Sequence, residues 1–120
     1  MAEPLWSQVW NVDFGVPVGH EQGARRPAIV VSADWFNESA AELHHVVPLS
    51  STIRSLGTHF AIEPPEGGLD VRSDAMVEHL RAVSRERFLD QRGTLEAETM
   101  GEITNRVKVL LLLRNARAKR

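Results

Sequence analysis

Gly19-His20-Glu21-Gln22-Gly23-Ala24-Arg25-Arg26-Pro27-Ala28-Ile29-Val30-Val31-Ser32 sets two adjacent arginines between a glycine-flanked polar loop and a β-branched run. The loop residues offer nothing to a core. Ile29-Val30-Val31 reads instead as a short buried strand. Proline has no N–H to give to a ladder, so Pro27 suits the first residue of that strand, predicted over Pro27–Ser32. A guanidinium at the mouth of a strand stands on a rigid base, keeps its charge near neutral pH and presents a flat fork that matches phosphate or carboxylate oxygens. The stretch therefore predicts a grip on a phosphodiester or a carboxylate.

Outward from this strand, the chain alternates. Trp6, Gln8, Trp10, Val12 and Phe14 interleave with Ser7, Val9, Asn11 and Asp13, a period of two that predicts a first strand with an aromatic face. Residues 34–41 suggest one helical turn or an irregular crossing. A third strand is predicted over His44–Leu49, where Pro48 implies an edge or a bulge, and a fourth over Thr58–Glu63. Pro64-Pro65-Glu66-Gly67-Gly68 turns the chain sharply. A fifth strand is expected over Ala75–Val83 and a short helix over Arg85–Leu89. Thr94 is a candidate N-cap for a long helix carrying Leu95, Met100, Ile103, Val107, Leu110 and Leu111 at helical spacing. Short strands with Gly/Pro turns followed by one amphipathic helix give a mainly β (α+β) chain: a small antiparallel β-barrel with a C-terminal α-helix.

The 120 residues fit a single domain, residues 1–120, with its core over about 6–113 and a basic tail at 114–120. There is no cysteine, which excludes a disulfide framework, a thiol nucleophile and cysteine-ligated zinc, and suits a reducing, cytoplasmic location. The longest apolar run, Val109–Leu113, is far short of the ~20 residues of a membrane span, and Met1-Ala2-Glu3-Pro4 does not read as a signal peptide. The net charge of −2 does not advertise a nucleic-acid partner, but the charge is segregated. Acids gather at Glu63, Glu66, Asp70, Asp74 and Glu78 and again at Glu96, Glu98 and Glu102. From Ile103 onward every charged residue is basic. That basic end suits either the negative end of a helix or contact with RNA. His44 and His45 do not suggest a metal, because neighbours on a strand point to opposite faces.

Trp10-Asn11-Val12-Asp13-Phe14-Gly15 followed by residues 19–32 resembles the opening of the MazF/PemK toxins. Val46-Val47-Pro48-Leu49-Ser50-Ser51-Thr52, Gly67-Gly68-Leu69 with Ser73, Val77-Glu78-His79-Leu80-Arg81-Ala82-Val83-Ser84-Arg85-Glu86-Arg87 and Gly93-Thr94-Leu95 agree with that family in the same order. The resemblance covers roughly residues 6–113. It implies an SH3-like barrel, a homodimer and the toxin half of a type II toxin–antitoxin pair. It further implies a metal-independent, sequence-selective endoribonuclease of single-stranded RNA, with no cofactor. The implied partner is an antitoxin that lays a flexible, acidic segment along the RNA-binding surface, with operator DNA reached only through that complex and no membrane.

In that chemistry the 2′-hydroxyl of RNA attacks the adjacent phosphorus, leaving a 2′,3′-cyclic phosphate and a 5′-hydroxyl. Arg26 stands in the slot of the family's catalytic arginine. Ser50 stands where a threonine is usual, and keeps the hydroxyl without the methyl that restricts its rotamer. The proton base is open among His20, Glu21 and Glu78. Glu78 matches an acidic position of some relatives, but Met76 replaces the arginine that accompanies it there. Arg25, Glu21, Gln22, Ser51, Thr52, Arg54 and Arg81 are the candidate RNA contacts, on the loops at 15–25 and 52–57, the polar turn begun by Ser50-Ser51-Thr52 and the fifth strand. Trp10, Phe14 and Trp35 offer stacking surfaces or core. Two other functions remain compatible: a gyrase-poison-like toxin that acts by binding alone, and a degenerate member that retains only antitoxin binding and operon autoregulation.

Overall fold

The computed structural model describes residues 2–16, 18–20 and 24–112. The expectations for Glu21, Gln22 and the basic tail lie outside the described residues. Seven strands form one antiparallel sheet: β1 (Gln8–Asp13), β2 (Arg25–Val30), β3 (Leu43–Ser50), β4 (His59–Ile62), β5 (Ser73–Met76), β6 (Arg81–Ser84) and β7 (Phe88–Thr94). A single turn, α1 (Asp34–Asn37), follows β2, and α2 (Ala97–Leu111) closes the described chain. The order is β4-β5-β3-β2-β1-β7, with β6 also on β3. The sheet curls like a barrel, but no ladder joins β4 to β7, so the ring stays open.

The period-two reading of β1 holds. Val9 faces a core shared with Ile29, Val47, Leu49 and the α2 residues Met100 and Ile103. Trp10, Val12 and Phe14 face a second core with Val30, Val46 and Phe88. Full burial of each such side chain is worth about 1.5–3 kcal/mol, which is what holds α2 to the sheet. Trp10 packs edge-on to Phe88 at 5.9 Å, and its indole N–H donates to Gln8 Oε1 at 2.9 Å. Trp10 and Phe14 are thus core, whereas Trp35 is exposed. His44 is buried between Asn37 and Glu3, while the His45 ring lies against Phe36.

Several expected boundaries shift. The predicted strand Ala75–Val83 is broken by a 3-10 turn at Val77–His79, which separates β5 from β6. The predicted helix Arg85–Leu89 is a 3-10 turn, Arg85–Arg87, running into β7. Strand β7 carries no alternation to read, because its pairing with β1 slips at two places. Thr94 ends β7 opposite Gln8 and does not cap α2. The cap position is Glu96, whose N–H donates to Glu66 Oε2. Pro48 lies neither at an edge nor in a bulge but inside central β3, opposite Ala28. The carbonyls of His45 and Leu49 both face β2, so the Pro48 nitrogen faces the other way. There it meets the gap between the β6 ladder, ending at Val46, and the β5 ladder, starting at Leu49. A missing donor costs no ladder bond in that gap.

The turn after β4 comes very close to β7. At Gly68 (φ +69°) a Cβ would lie 2.0 Å from the carbonyl oxygen of Arg92, and at Gly93 one would lie 2.7 Å from the Gly67 carbonyl carbon. Only glycine fits such an approach. It sets Leu69, Asp70 and Val71 beside Arg92, and this places one wall of the site.

Candidate active site

Strand β2 begins at Arg25, two residues before its expected start, so both arginines belong to the sheet. Arg25 pairs with Asp13 and Arg26 with Val12 across the β1–β2 ladder. On its other side β2 pairs with β3, Ala28 opposite Pro48. Two residues further along the same register, Arg26 comes level with Ser50. The Arg26 Nη1 donates to the Leu49 carbonyl at 3.4 Å, which turns the guanidinium toward the end of β3.

Arg26 and Ser50 line one open cleft of about 570 Å³ together with Ser51, Thr52, Asp70 and Arg92. Three guanidinium groups (Arg25, Arg26 and Arg92) meet a single carboxylate, Asp70, among the described lining residues. The local balance is therefore positive although the chain is net acidic. Burial lowers the Arg26 pKa, yet an arginine starts so high that the group stays charged at neutral pH. Arg25 is mostly exposed, its Nε 3.9 Å from Asp13 Oδ2. A neighbouring hollow of about 380 Å³ shares Arg25, Arg26 and Arg92, so the basic groups face two connected stretches of surface. At the end of β3 the Ser50 Oγ accepts the Thr52 N–H at 3.1 Å, a local turn bond that fixes the hydroxyl at the cleft wall.

Arg92 and Asp70 were not singled out from the sequence. Arg92 Nη2 donates to the Gly68 carbonyl at 3.0 Å and to Asp70 Oδ2 at 2.9 Å, and Nη1 reaches Asn11 Oδ1 at 3.4 Å. Its Nε is buried with no hydrogen-bond partner among the described residues. The signal available was Gly67-Gly68 with Gly93: paired glycines in two segments mark a place where backbones touch.

The other candidates lie elsewhere. His20 is exposed in the β1–β2 connection and is not among the described residues lining the cleft. Arg81, on β6, stacks its guanidinium 5.4 Å from the Phe14 ring centroid, away from the cleft lining. Arg54 is exposed on the β3–β4 loop, with its N–H on Asp74 Oδ2 at 3.1 Å. Glu78 is not brought to Arg26. Its carboxylate accepts from Thr58 Oγ1 at 2.8 Å and from His59 Nε2 at 2.6 Å. Burial alone would raise the Glu78 pKa, but these two bonds, a backbone hydrogen bond and the charge of His59 together hold the carboxyl below its usual range. No group of His, Cys, Asp or Glu among the described residues is arranged to hold a metal ion.

A curled antiparallel sheet with one packed helix and an arginine–hydroxyl cleft at the ends of β2 and β3 defines a small barrel-like protein with a basic, hydroxyl-lined cleft. The chain belongs to the PemK-like, MazF-like toxins of type II toxin–antitoxin systems, whose family profile matches residues 7–111. It is 30% identical over 109 residues to endoribonuclease MazF9 of Mycobacterium tuberculosis, covering 87% of this chain and 92% of that one. To endoribonuclease EndoA of Bacillus subtilis it is 26% identical over 106 residues, covering 88% and 91%. The crystal structure of MazF from Deinococcus radiodurans has the same fold, with a TM-score of 0.83 at 24% identity over 94% of this chain and 100% of that one. A mycobacterial endoribonuclease solved with its cognate antitoxin superposes with a TM-score of 0.76 at 22% identity, covering 93% and 98%.

Proposed function

We propose that this toxin is an endoribonuclease that cuts single-stranded RNA at a phosphodiester seated in the Arg26–Ser50 cleft, so stopping translation and growth. The observation that carries the reading is the placement of Arg26 and Ser50 on one cleft wall in a chain whose relatives are named as endoribonucleases.

RNA brings its own nucleophile. A base removes the 2′-hydroxyl proton, O2′ bonds to phosphorus, and the P–O5′ bond breaks as O5′ takes a proton. The products are a 2′,3′-cyclic phosphate and a 5′-hydroxyl. Charge grows on the nonbridging oxygens, where a fixed donor is worth about 3 kcal/mol. Arg26 fills that role, and the Ser50 hydroxyl hydrogen-bonds the same phosphate. Arg25 and Arg92 hold flanking backbone, with Ser51 and Thr52 beside them. Of the three candidate bases, His20, Glu21 and Glu78, the Glu78 carboxylate is engaged by His59. The same positive cleft suits the acidic segment of a cognate antitoxin, as the antitoxin-bound relatives suggest. A homodimer would cover the apolar residues Val109, Leu110 and Leu111, which α2 leaves exposed.

The test is cleavage of a long single-stranded RNA in EDTA with mapping of the ends. Cyclic-phosphate ends that disappear with Arg26→Ala support the proposal. Intact RNA with tight antitoxin binding supports the degenerate reading instead, and poisoning in a gyrase cleavage assay supports the binding toxin.

A further inference from the structure

Away from the cleft, one buried ionisable group is held with unusual completeness. His59, the first residue of β4, is nearly inaccessible, and both ring nitrogens end on carboxylates: Nδ1 on Asp74 Oδ2 at 2.7 Å and Nε2 on Glu78 Oε2 at 2.6 Å. An ionised carboxylate only accepts. Both nitrogens must then donate, which makes the ring an imidazolium between two anions.

Those two anions also hold the β3–β4 loop. The Asp74 Oδ2 that accepts the His59 Nδ1–H also accepts the Arg54 backbone N–H. Glu78 takes the Thr58 hydroxyl. The main chain of His59 is tied separately, its carbonyl accepting from Arg106 Nε of α2 at 3.1 Å. Between these anchors the loop residues Ser55, Leu56 and Gly57 are exposed, and Ser55 sits at φ +55°. Just before them, Ser50, Ser51 and Thr52 line the cleft, and Ser50 is the register partner of Asp74 itself.

We infer that His59 is a positioning residue: by holding Asp74 and Glu78 it fixes the loop 51–58, and with it the hydroxyl wall of the RNA cleft. The inference rests on the nuclease reading for its effect on RNA but not for its effect on the loop. If the ring lost a proton, one nitrogen would turn a lone pair toward a carboxylate oxygen less than 3 Å away in a buried site. That repulsion would loosen the carboxylate and release Arg54 or Thr58 with it. The other titratable or charged groups near the cluster among the described residues are His79, 3.8 Å from Glu78 Oε2, and the Arg106–Glu102 ion pair of α2. Burial alone would lower the His59 pKa, and its hydrogen bonds and charge pairing with Glu78 and Asp74 raise it above the ordinary histidine value. The clamp is accordingly closed while the ring is charged and opens as pH climbs through the raised His59 pKa.

Three measurements on the full chain test this. In ¹⁵N spectra at pH 7 both ring nitrogens of His59 should carry protons. Amide exchange over residues 51–58 should be slow in the wild type and at least tenfold faster in Asp74→Asn and in His59→Gln, with Thr58→Val as a milder variant that spares the buried pair. The KM for RNA should rise at least fivefold in those variants with kcat within about twofold, and the wild-type KM should rise with pH through the His59 titration. A neutral His59 ring at pH 7, or loop exchange unchanged in folded Asp74→Asn and Thr58→Val, overturns the inference. Wild-type protein that shows the clamp but cuts no RNA overturns the nuclease reading alone.

Discussion

Arg26 of β2 and Ser50 of β3 line the same cleft, and the Arg26 Nη1 lies 3.4 Å from the carbonyl oxygen of Leu49, the residue before Ser50. The contact is long, so it orients the guanidinium more than it stabilises the fold. Arg26→Ala should lower kcat by about 10²–10³-fold, the cost of one transition-state donor. Arg26→Lys should recover little, because an ammonium cannot replace a planar fork. Single-turnover cleavage of a fluorogenic RNA, paired with thermal melts, checks both. An Arg26→Ala protein that cuts at the wild-type rate would remove Arg26 from the chemistry.

Ser50 holds two duties that mutation can separate. Its Oγ accepts the Thr52 N–H, and it faces the same cleft as Arg26. Ser50→Thr keeps the oxygen and narrows its rotamers, so cleavage should be retained or rise. Ser50→Ala should cost about 10²-fold in kcat if the hydroxyl meets the phosphate in the transition state. If Ser50→Ala loses stability but keeps its rate, the hydroxyl serves the turn alone.

The β2 strand, the alternation in β1 and the amphipathic α2 were legible because each is a local pattern of polarity. So were Arg26 and the serines, since they sit at the ends of strands that could be read. The break at Val77–His79 was not legible, because apolar residues on both sides of Glu78-His79 read as one strand from Ala75 to Val83. Strand β7 was hidden for the opposite reason: Asp90, Gln91 and Arg92 are consecutive polar residues with no apolar alternation, and its place depends on β1. Arg92 and Asp70 entered the cleft only through the contact of Gly67 and Gly68 with Gly93, which joins segments distant in the chain. Glu78 matched a family position by sequence. What its carboxylate does here is set by His59, which no local pattern connects to it.

Asp70 and Arg92 form an ion pair at the cleft mouth, 2.9 Å between Oδ2 and Nη2, with Asp70 almost fully exposed. Such a surface pair contributes little to stability, so its effect should fall on charge. A phosphate approaching Arg92 must compete with Asp70. Asp70→Asn should tighten binding of an RNA carrying 2′-deoxyribose at the cut site. Arg92→Gln should weaken it and flatten its salt dependence by about one phosphate contact. Fluorescence anisotropy across a salt series reads both. Equal affinities in all three proteins would place the RNA backbone elsewhere.

His59 and His44 should pull the pH dependence of stability in opposite directions. The His59 pKa is raised in the fold, so its contribution is complete below the ordinary 6.5 and is lost as pH climbs through the higher folded value. The Glu78 pKa is lowered, so its contribution is complete above the ordinary 4.5 and is lost as pH falls through the lower folded value. The cluster is therefore most stabilising between about 4.5 and 6.5. His44 differs, because burial outweighs Glu3 and lowers its pKa. It prefers to be neutral, and its contribution is complete above 6.5 and lost as pH falls through the lower folded value. Urea unfolding from pH 5 to 9 should show His59→Gln losing the alkaline decline of the wild type, and His44→Gln losing part of the acid decline. Parallel curves for the wild type and both variants would mean that neither histidine changes its proton affinity on folding.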